Sequence, residues 1–309
     1  MKDKTILVTG AGGTIGSEIC RHLASLGPNK LILLGHSEYP IYALNQSLPC
    51  HSVPVLADVR DVGAMFRVMQ QYRPDYVFHA AAIKHVPLAE VHPREAYLTN
   101  TIGTRNTVIA AAYTGATVVM ISTDKAVYPE SVMGKTKRIA ERFCFGVPGV
   151  KVVRFGNVWG SSGSVVPLFQ RQIAEGGPVT VTDPDMTRYF MTVDKAANLA
   201  MHAALHEHED NLFIADMGEP RPIVDVAREL IDNSGQSIEI KITGARPGER
   251  LTENLFYKEE GGIAMKDGVY QERVYNNESK YISRYISRGE AMSSDVDIRQ
   301  HLQGFSYGY

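Results

Sequence analysis

A chain of 309 residues can bury a large core, and 44% hydrophobic with 21% charged residues is the balance of an ordinary soluble globular protein. A formal net charge of −2 supplies no broad basic field, which argues against nucleic-acid and anionic-membrane partners. No apolar run approaches the roughly 18 residues of a membrane span, Met1-Lys2-Asp3-Lys4 leads into a strand without a signal-peptide pattern, and Cys20, Cys50 and Cys144 form neither a disulfide framework nor a zinc spacing, so a cytoplasmic location is expected.

In chain order, a strand is predicted at Thr5–Thr9, then a glycine-rich turn and a helix over Ile15–Leu26. Strands at Leu31–Leu34 and Val53–Leu56 follow, then a helix at Val62–Tyr72 and a strand at Tyr76–His79. A helix over Ala96–Tyr113, a strand at Thr117–Ser122, a helix at Val132–Phe143 and a strand at Lys151–Phe155 complete this half. The strands are continuous apolar runs, which suits a parallel sheet buried on both faces. Repeated strand–helix units of this length predict an α/β fold with a Rossmann-type, doubly wound parallel sheet.

After about Gly160 the rhythm loosens. Ser161-Ser162-Gly163-Ser164 reads as a linker, Val165–Glu175 and Lys195–His206 as helices, Asn211–Ala215 as a strand and Pro222–Asn233 as a helix. The expected division is a dinucleotide-binding domain over 1–160, to which segments near 190–215 return. Residues 161–309 are expected to form mainly a smaller, C-terminal substrate-binding lobe. The last 50 residues hold a local repeat, Tyr281-Ile282-Ser283-Arg284 then Tyr285-Ile286-Ser287-Arg288, too short for a solenoid unit.

Gly10-Ala11-Gly12-Gly13-Thr14-Ile15-Gly16 lies between a predicted strand and a predicted helix, and Gly10, Gly13 and Gly16 have the spacing GxxGxxG. Glycines permit the tight turn and a close backbone approach to a pyrophosphate, which the free N–H groups and dipole of the helix N-terminus then favour. The competing reading, a turn that binds nothing, fits the flanking strand and helix less well. An acid that takes the ribose hydroxyls of NAD is expected about 20 residues further on. Gly35 stands there instead, followed by His36 and Ser37, which could accommodate a 2′-phosphate, so NAD is expected and NADP remains open. Asp58-Val59 is placed to meet the adenine, or else to cap the helix that begins at Val62.

The segment Ser122-Thr123-Asp124-Lys125 puts an acid and an amine at the end of an apolar strand, and Met133-Gly134-Lys135-Thr136-Lys137 opens the next helix. With the glycine loop, this reads as the floor of a dehydrogenase-type site. Met133 stands four residues before Lys137, where such enzymes usually carry a tyrosine acid/base, and a thioether exchanges no proton. Further segments align with these: His79-Ala80-Ala81-Ala82-Ile83-Lys84-His85-Val86-Pro87, Asn100, Arg154-Phe155-Gly156-Asn157-Val158, Thr187-Arg188-Tyr189-Phe190 and Arg246-Pro247-Gly248-Glu249. Over roughly residues 5–257 the chain closely resembles the extended short-chain dehydrogenase/reductases, and within them the nucleotide-sugar 4,6-dehydratases that act on UDP-N-acetylglucosamine in bacterial glycan biosynthesis. Ser122–Glu141 is the most specific part of the resemblance.

The resemblance implies oxidation of the sugar C4 hydroxyl, loss of the acidified C5 proton, departure of the C6 hydroxyl as water and return of hydride to C6. Asp124 would be the acid for the leaving hydroxyl, Lys125 the base at C5, Thr123 the partner of the C4 oxygen and Lys137 the partner of the nicotinamide ribose. A lysine base requires a lowered pKa, for which burial and a neighbouring cation, Lys137 or Lys84, are the available means. Met133 leaves the C4 proton acceptor open between Asp124 acting through Thr123 and Lys125 itself. By the same resemblance Ala80, Ala81, Ala82, Lys84 and Asn100 join the cofactor contacts. Lys84, Asn157, Val166, Thr180, Arg188, Arg246 and Glu249 would meet the nucleotide-sugar. A guanidinium fork suits its diphosphate, and Arg188 reads equally as an ion-pair partner. No metal is expected, since His206-Glu207-His208-Glu209-Asp210 reads as a solvated helix end. A homo-oligomer is expected. Alternatives are a 4-epimerase, a 5,6-dehydratase, or a catalytically silent nucleotide-sugar-binding protein.

Overall fold

The computed structural model describes residues 1–207, 209–258, 264–266, 269–272, 274 and 279–305. Strands β1 (Thr5–Thr9), β2 (Lys30–Gly35), β3 (Ser52–Leu56), β4 (Tyr76–His79), β5 (Thr117–Ile121) and β6 (Val150–Arg154) run parallel in the order 3-2-1-4-5-6. Leu212–Ala215 continues the parallel set beside β6, and Val269–Glu272 and Ala264–Lys266 extend that edge antiparallel. Ile6, Leu7 and Val8 of β1 are all at 0% exposure, as a strand covered on both faces must be. The strand order reverses between β1 and β4, and the crevice at that reversal, outside the carboxyl ends of the strands, is where such sheets take ligands.

The connecting helices are α1 (Thr14–Ser25), α2 (Glu38–Ser47), α3 (Val62–Tyr72), α4 (Val86–Val91), α5 (Pro93–Tyr97), α6 (Gly103–Thr114) and α7 (Val132–Cys144). The single helix predicted over Ala96–Tyr113 is divided, with a π-helical turn at Leu98–Ile102 between α5 and α6. That wide turn stands the fully buried Asn100 in the interior, and Gly103 after it meets Val59 so closely that a Cβ would lie 2.6 Å from a valine methyl. The short helices α2 and α4 have too few periodic apolar positions to announce themselves in the sequence.

A smaller lobe packs Val165–Ala174 and Ile223–Ser234 against the paired strands Val179–Val181 and Ile240–Ile242. Its core is Phe169, Ile173, Val179, Val181, Met186, Ile223, Ala227 and Ile231. Helix Val193–Leu205 packs against α1, β5 and β6 in the sheet domain.

The tail departs from the expected division. Helix Ser279–Glu290 absorbs the sequence repeat, whose spacing of four puts Ile282 and Ile286 on one face. Both are at 0% exposure, while Tyr281 is turned outward. With Ile298 and Leu302 of helix Asp295–Gln303 they pack on Tyr97, Ile102, Met133 and Ile139, so this part of the tail covers α5 and α7 of the sheet domain and not the lobe. The Tyr97 hydroxyl donates to Ile286 O at 3.0 Å, and Arg299 holds Glu90, whose Oε1 accepts from Val132 N at the start of α7 at 2.7 Å.

Candidate active site

Two contiguous cavities open at the sheet reversal, of about 420 Å³ and about 850 Å³. The glycine loop forms their shared wall. Gly10 has φ +64°, and a Cβ there would lie 2.6 Å from Ala81 N, so this turn requires glycine. A Cβ on Gly16 would lie 2.9 Å from Ala11 Cα, which explains how α1 starts so close beneath the loop. No acidic residue occupies the first turn of α1, leaving its N-terminus to an anion. These are features that fit a dinucleotide pyrophosphate. Thr14 reaches across the crevice to the linker: its Oγ1 accepts from Ser162 N at 3.2 Å and donates to Ser162 Oγ at 3.4 Å.

The smaller cavity is lined by Gly10, Gly13, His36, Ser37, Asp58, Val59, Ala80, Ala81 and Ala82, all expected from the sequence. Arg60, which the motifs did not announce, joins them. Its guanidinium donates to Asp58 Oδ2 at 2.6 Å and to Glu95 Oε2 at 2.6 Å. Burial alone would raise the Asp58 carboxyl, but the hydrogen bonds and charge of Arg60 outweigh it and hold the group below its usual value.

The larger cavity is lined by Gly13, Thr14, Ile15, Gly16, Ala80, Ala82, Lys84, Thr123, Lys125, Met133, Lys137 and Asn157. It therefore gathers the glycine loop, the end of β5 and the first turns of α7. The Lys125 ammonium donates to Asp124 Oδ1 at 2.9 Å and to Asn157 Oδ1 at 3.2 Å. Thr123 Oγ1 donates to the same Asp124 Oδ1 at 2.9 Å. Lys137 donates to Ile121 O at 2.6 Å, and burial pushes its ammonium down to about 8. Desolvation also lowers Lys84, although its surface is largely open to solvent at the cavity mouth. Gly134 serves a close approach: a Cβ there would lie 3.1 Å from the Lys125 carbonyl carbon.

Several expected residues stand off these walls. Asp124 is fully buried behind Thr123 and Lys125, so it reaches the cavity only through them. Asn100 spends its amide on the loop and on α7, accepting from Ile83 N at 2.8 Å and donating to Ile83 O and Thr136 Oγ1. It ties the loop at Ile83 to α7 and lines neither cavity. Val166 is buried in the lobe, and Thr180 is held by Gln172 at 2.8 Å. Arg188 donates inward to Thr187 O and Leu251 O. Arg246 is exposed and closes a turn in which its N donates to Glu249 Oε2 at 3.0 Å. Of the residues expected to meet a nucleotide-sugar, Lys84 and Asn157 line the cavity.

The motif reading missed Glu253. Residues 246–258 run as a strap between the lobe and the loop that follows β5: Thr187 N donates to Leu251 O, Arg250 to Tyr128 O and the Tyr257 hydroxyl to Ala126 O. In this segment Glu253, Leu255 and Tyr257 are buried and their neighbours exposed, a period of two. An acid at a buried position of an extended run is the signal that could have found it. Its Oε1 lies 3.7 Å from Lys125 Nζ.

Residues 6–272 match the family model described as polysaccharide biosynthesis protein. The chain belongs to that family. It is similar to the probable polysaccharide biosynthesis protein EpsC of Bacillus subtilis (strain 168), 50% identical over 275 residues, and to the capsular polysaccharide biosynthesis protein CapD of Staphylococcus aureus, 50% identical over 277 residues. Each alignment covers 84% of this chain and 46% of the relative, so the chain spans less than half the length of these two proteins. The fold is shared with the crystal structure of Pen from Bacillus thuringiensis, at 32% identity and a TM-score of 0.82, covering 89% of this chain and 92% of that one. No helix among the described residues is long and apolar enough to cross a membrane.

Proposed function

We propose that the protein is an NAD(P)-dependent nucleotide-sugar 4,6-dehydratase and that UDP-N-acetylglucosamine is its substrate. The observation that carries this reading is the Lys125 amine on the cavity wall, bound to Asp124 and Asn157, where Met133 offers no phenol. A site that only oxidised and reduced C4 would have no use for a second base, whereas elimination across C5 and C6 needs one. When bound, NAD(P) supplies the hydride acceptor at C4 and the donor at C6. Gly10, Gly13 and Gly16 would seat its pyrophosphate, Asp58 and Val59 its adenine end, and Lys137 its nicotinamide ribose. Thr123 takes the C4 hydroxyl proton and passes its own to Asp124 Oδ1. Lys125 removes the C5 proton. The proton on Asp124 is relayed through Thr123 or Lys125 to the C6 oxygen, which departs as water, and Lys125 returns a proton to C5 when C6 has received hydride, so the C4 hydroxyl proton ends in that water. Asp124 thus acts through its two cavity-lining partners.

Mass spectrometry of a reaction with UDP-N-acetylglucosamine and no added oxidant should show loss of one water, and NMR in deuterated water should show label at C5. Unchanged mass with inversion at C4 would make the protein an epimerase. Cofactor retention without turnover of any UDP- or dTDP-sugar would make it a binding protein.

Two further results are expected. Lys137 is a charged donor below pH about 8 and a neutral amine above it. Cofactor affinity should therefore weaken as pH rises through that value, by about tenfold if one charge-assisted hydrogen bond is lost. Fluorescence titration across this range checks it, and the inflection should vanish in Lys137→Met. In Met133→Tyr the added ring can project into the cavity that Met133 lines. The variant should stay folded within about 1–3 kcal/mol and keep its activity, as read by urea unfolding and turnover. Loss of turnover with the fold intact would show that the thioether's shape is required.

A further inference from the structure

Glu253 is at 4% exposure, and its Oε2 has no hydrogen-bond partner among the described residues. Asp124 likewise keeps a buried Oδ2 without a partner. Two buried carboxyls thus flank one lysine: Asp124 Oδ1 at 2.9 Å from Lys125 Nζ, and Glu253 Oε1 at 3.7 Å. The second distance is about 0.5 Å beyond ordinary hydrogen-bond reach. The other groups facing Glu253 are Arg188, whose NH2 is 4.0 Å away, and Arg250. Arg188 is tied to Thr187 O and Leu251 O, and Arg250 to Tyr128 O and Glu130.

A lysine that acts as a base must first be a free amine, and here the Lys125 Nζ donates to Asp124 Oδ1 at 2.9 Å. On the dehydratase reading given above, we propose that Glu253 is a positioning residue that receives the resting proton of Lys125 and so frees the amine for C5. In that step an N–H bond of the ammonium breaks and an O–H bond forms at Glu253, so that two opposite charges become two neutral groups. Such an exchange is favoured where water is scarce, because burial penalises both charged forms. Of the two carboxyls, Glu253 is the better receiver. Asp124 already accepts from Thr123 and Lys125, while Glu253 Oε2 has no hydrogen-bond partner among the described residues. Burial raises its carboxyl above the usual value; the charges of Lys125, Arg188 and Arg250 oppose this, and that of Asp124 adds to it. The residue sits outside the cavity wall and acts through Lys125.

The test compares wild type, Glu253→Gln and Glu253→Asp as cofactor-loaded full chains. Dehydration is followed across pH, and the reactivity of the Lys125 amine toward trace acetic anhydride is read by peptide mass spectrometry. Glu253→Gln should lose about 10²-fold in kcat near neutral pH, with KM nearly unchanged, and recover as pH rises. Acetylation of Lys125 should slow about tenfold, the equivalent of one unit in proton affinity. Glu253→Asp keeps a carboxyl and should keep the shape of the wild-type pH profile at a lower rate; it decides the matter if Glu253→Gln does not fold. A loss that is equal at every pH, with acetylation unchanged, overturns the role given to Glu253. If wild type dehydrates no nucleotide-sugar, the dehydratase reading falls, while the acetylation arm still reports on the Lys125–Glu253 pair.

Discussion

Lys125→Ala should lower dehydration by about 10²–10⁴-fold, the range lost with a general base, and should abolish deuterium incorporation at C5. Cofactor binding should change little, because the groups proposed to hold the cofactor lie in the glycine loop, after β3 and on α7, while the lysine's own partners are Asp124 and Asn157. Removing the ammonium leaves Asp124, at 0% exposure, without its closest cation, so a modest loss of stability accompanies the loss of rate. Turnover, C5 exchange and cofactor titration on one preparation separate these effects. Activity within threefold of wild type would move the base to another group, Asp124 or the cavity-lining Lys137 of α7.

Glu141→Gln should be the most damaging substitution for the fold, at about 3–5 kcal/mol. Glu141 is at 0% exposure behind β5, and its carboxylate accepts from Ser122 at 2.6 Å, from Arg154 at 2.8 and 3.0 Å and from Arg138 at 3.2 Å. The amide keeps the shape but withdraws the charge that both buried guanidiniums face. Burial would raise the Glu141 carboxyl, yet the Arg154 and Arg138 charges and the Ser122 hydroxyl hold it below its ordinary value of 4.5. A depressed folded value means that the contribution is complete above pH 4.5 and fades as pH falls through the lower, folded value. Urea midpoints measured at neutral and acid pH should therefore differ less in Glu141→Gln than in wild type. Because Ser122 precedes Thr123, and Arg154 also donates to Leu255 O in the strap, the catalytic loop should loosen with the core.

Much of this architecture was legible because it is locally encoded. Thr5–Thr9, Val62–Tyr72 and Tyr76–His79 fall where apolar runs and helical periods place them. The glycine loop and the lining positions of Thr123, Lys125, Met133 and Lys137 follow from a strand end and a helix start, two places where backbone geometry dictates where side chains emerge. Residues whose placement depends on distant partners were not legible. Asn100 carries a polar end that reads as a ligand contact, yet its hydrogen bonds go to Ile83 and Thr136, and of the two readings of Arg188 the ion-pair one finds its partner in Glu253, a choice made by the tertiary fold. The tail repeat has a plain helical meaning, but only once α5 and α7 supply the surface it covers.

Thr14 and Ser162 form a latch across the crevice, joining the glycine loop, the proposed pyrophosphate seat, to the linker that leads into the lobe. An enzyme that hands its hydride to a second substrate must let its cofactor leave and return, and a latch at that place would slow every cycle. A reaction that takes hydride from one carbon of a sugar and restores it to another imposes no such traffic. The dinucleotide could then stay through many turnovers as a resident group, with the sugar alone coming and going past Lys84 and His85.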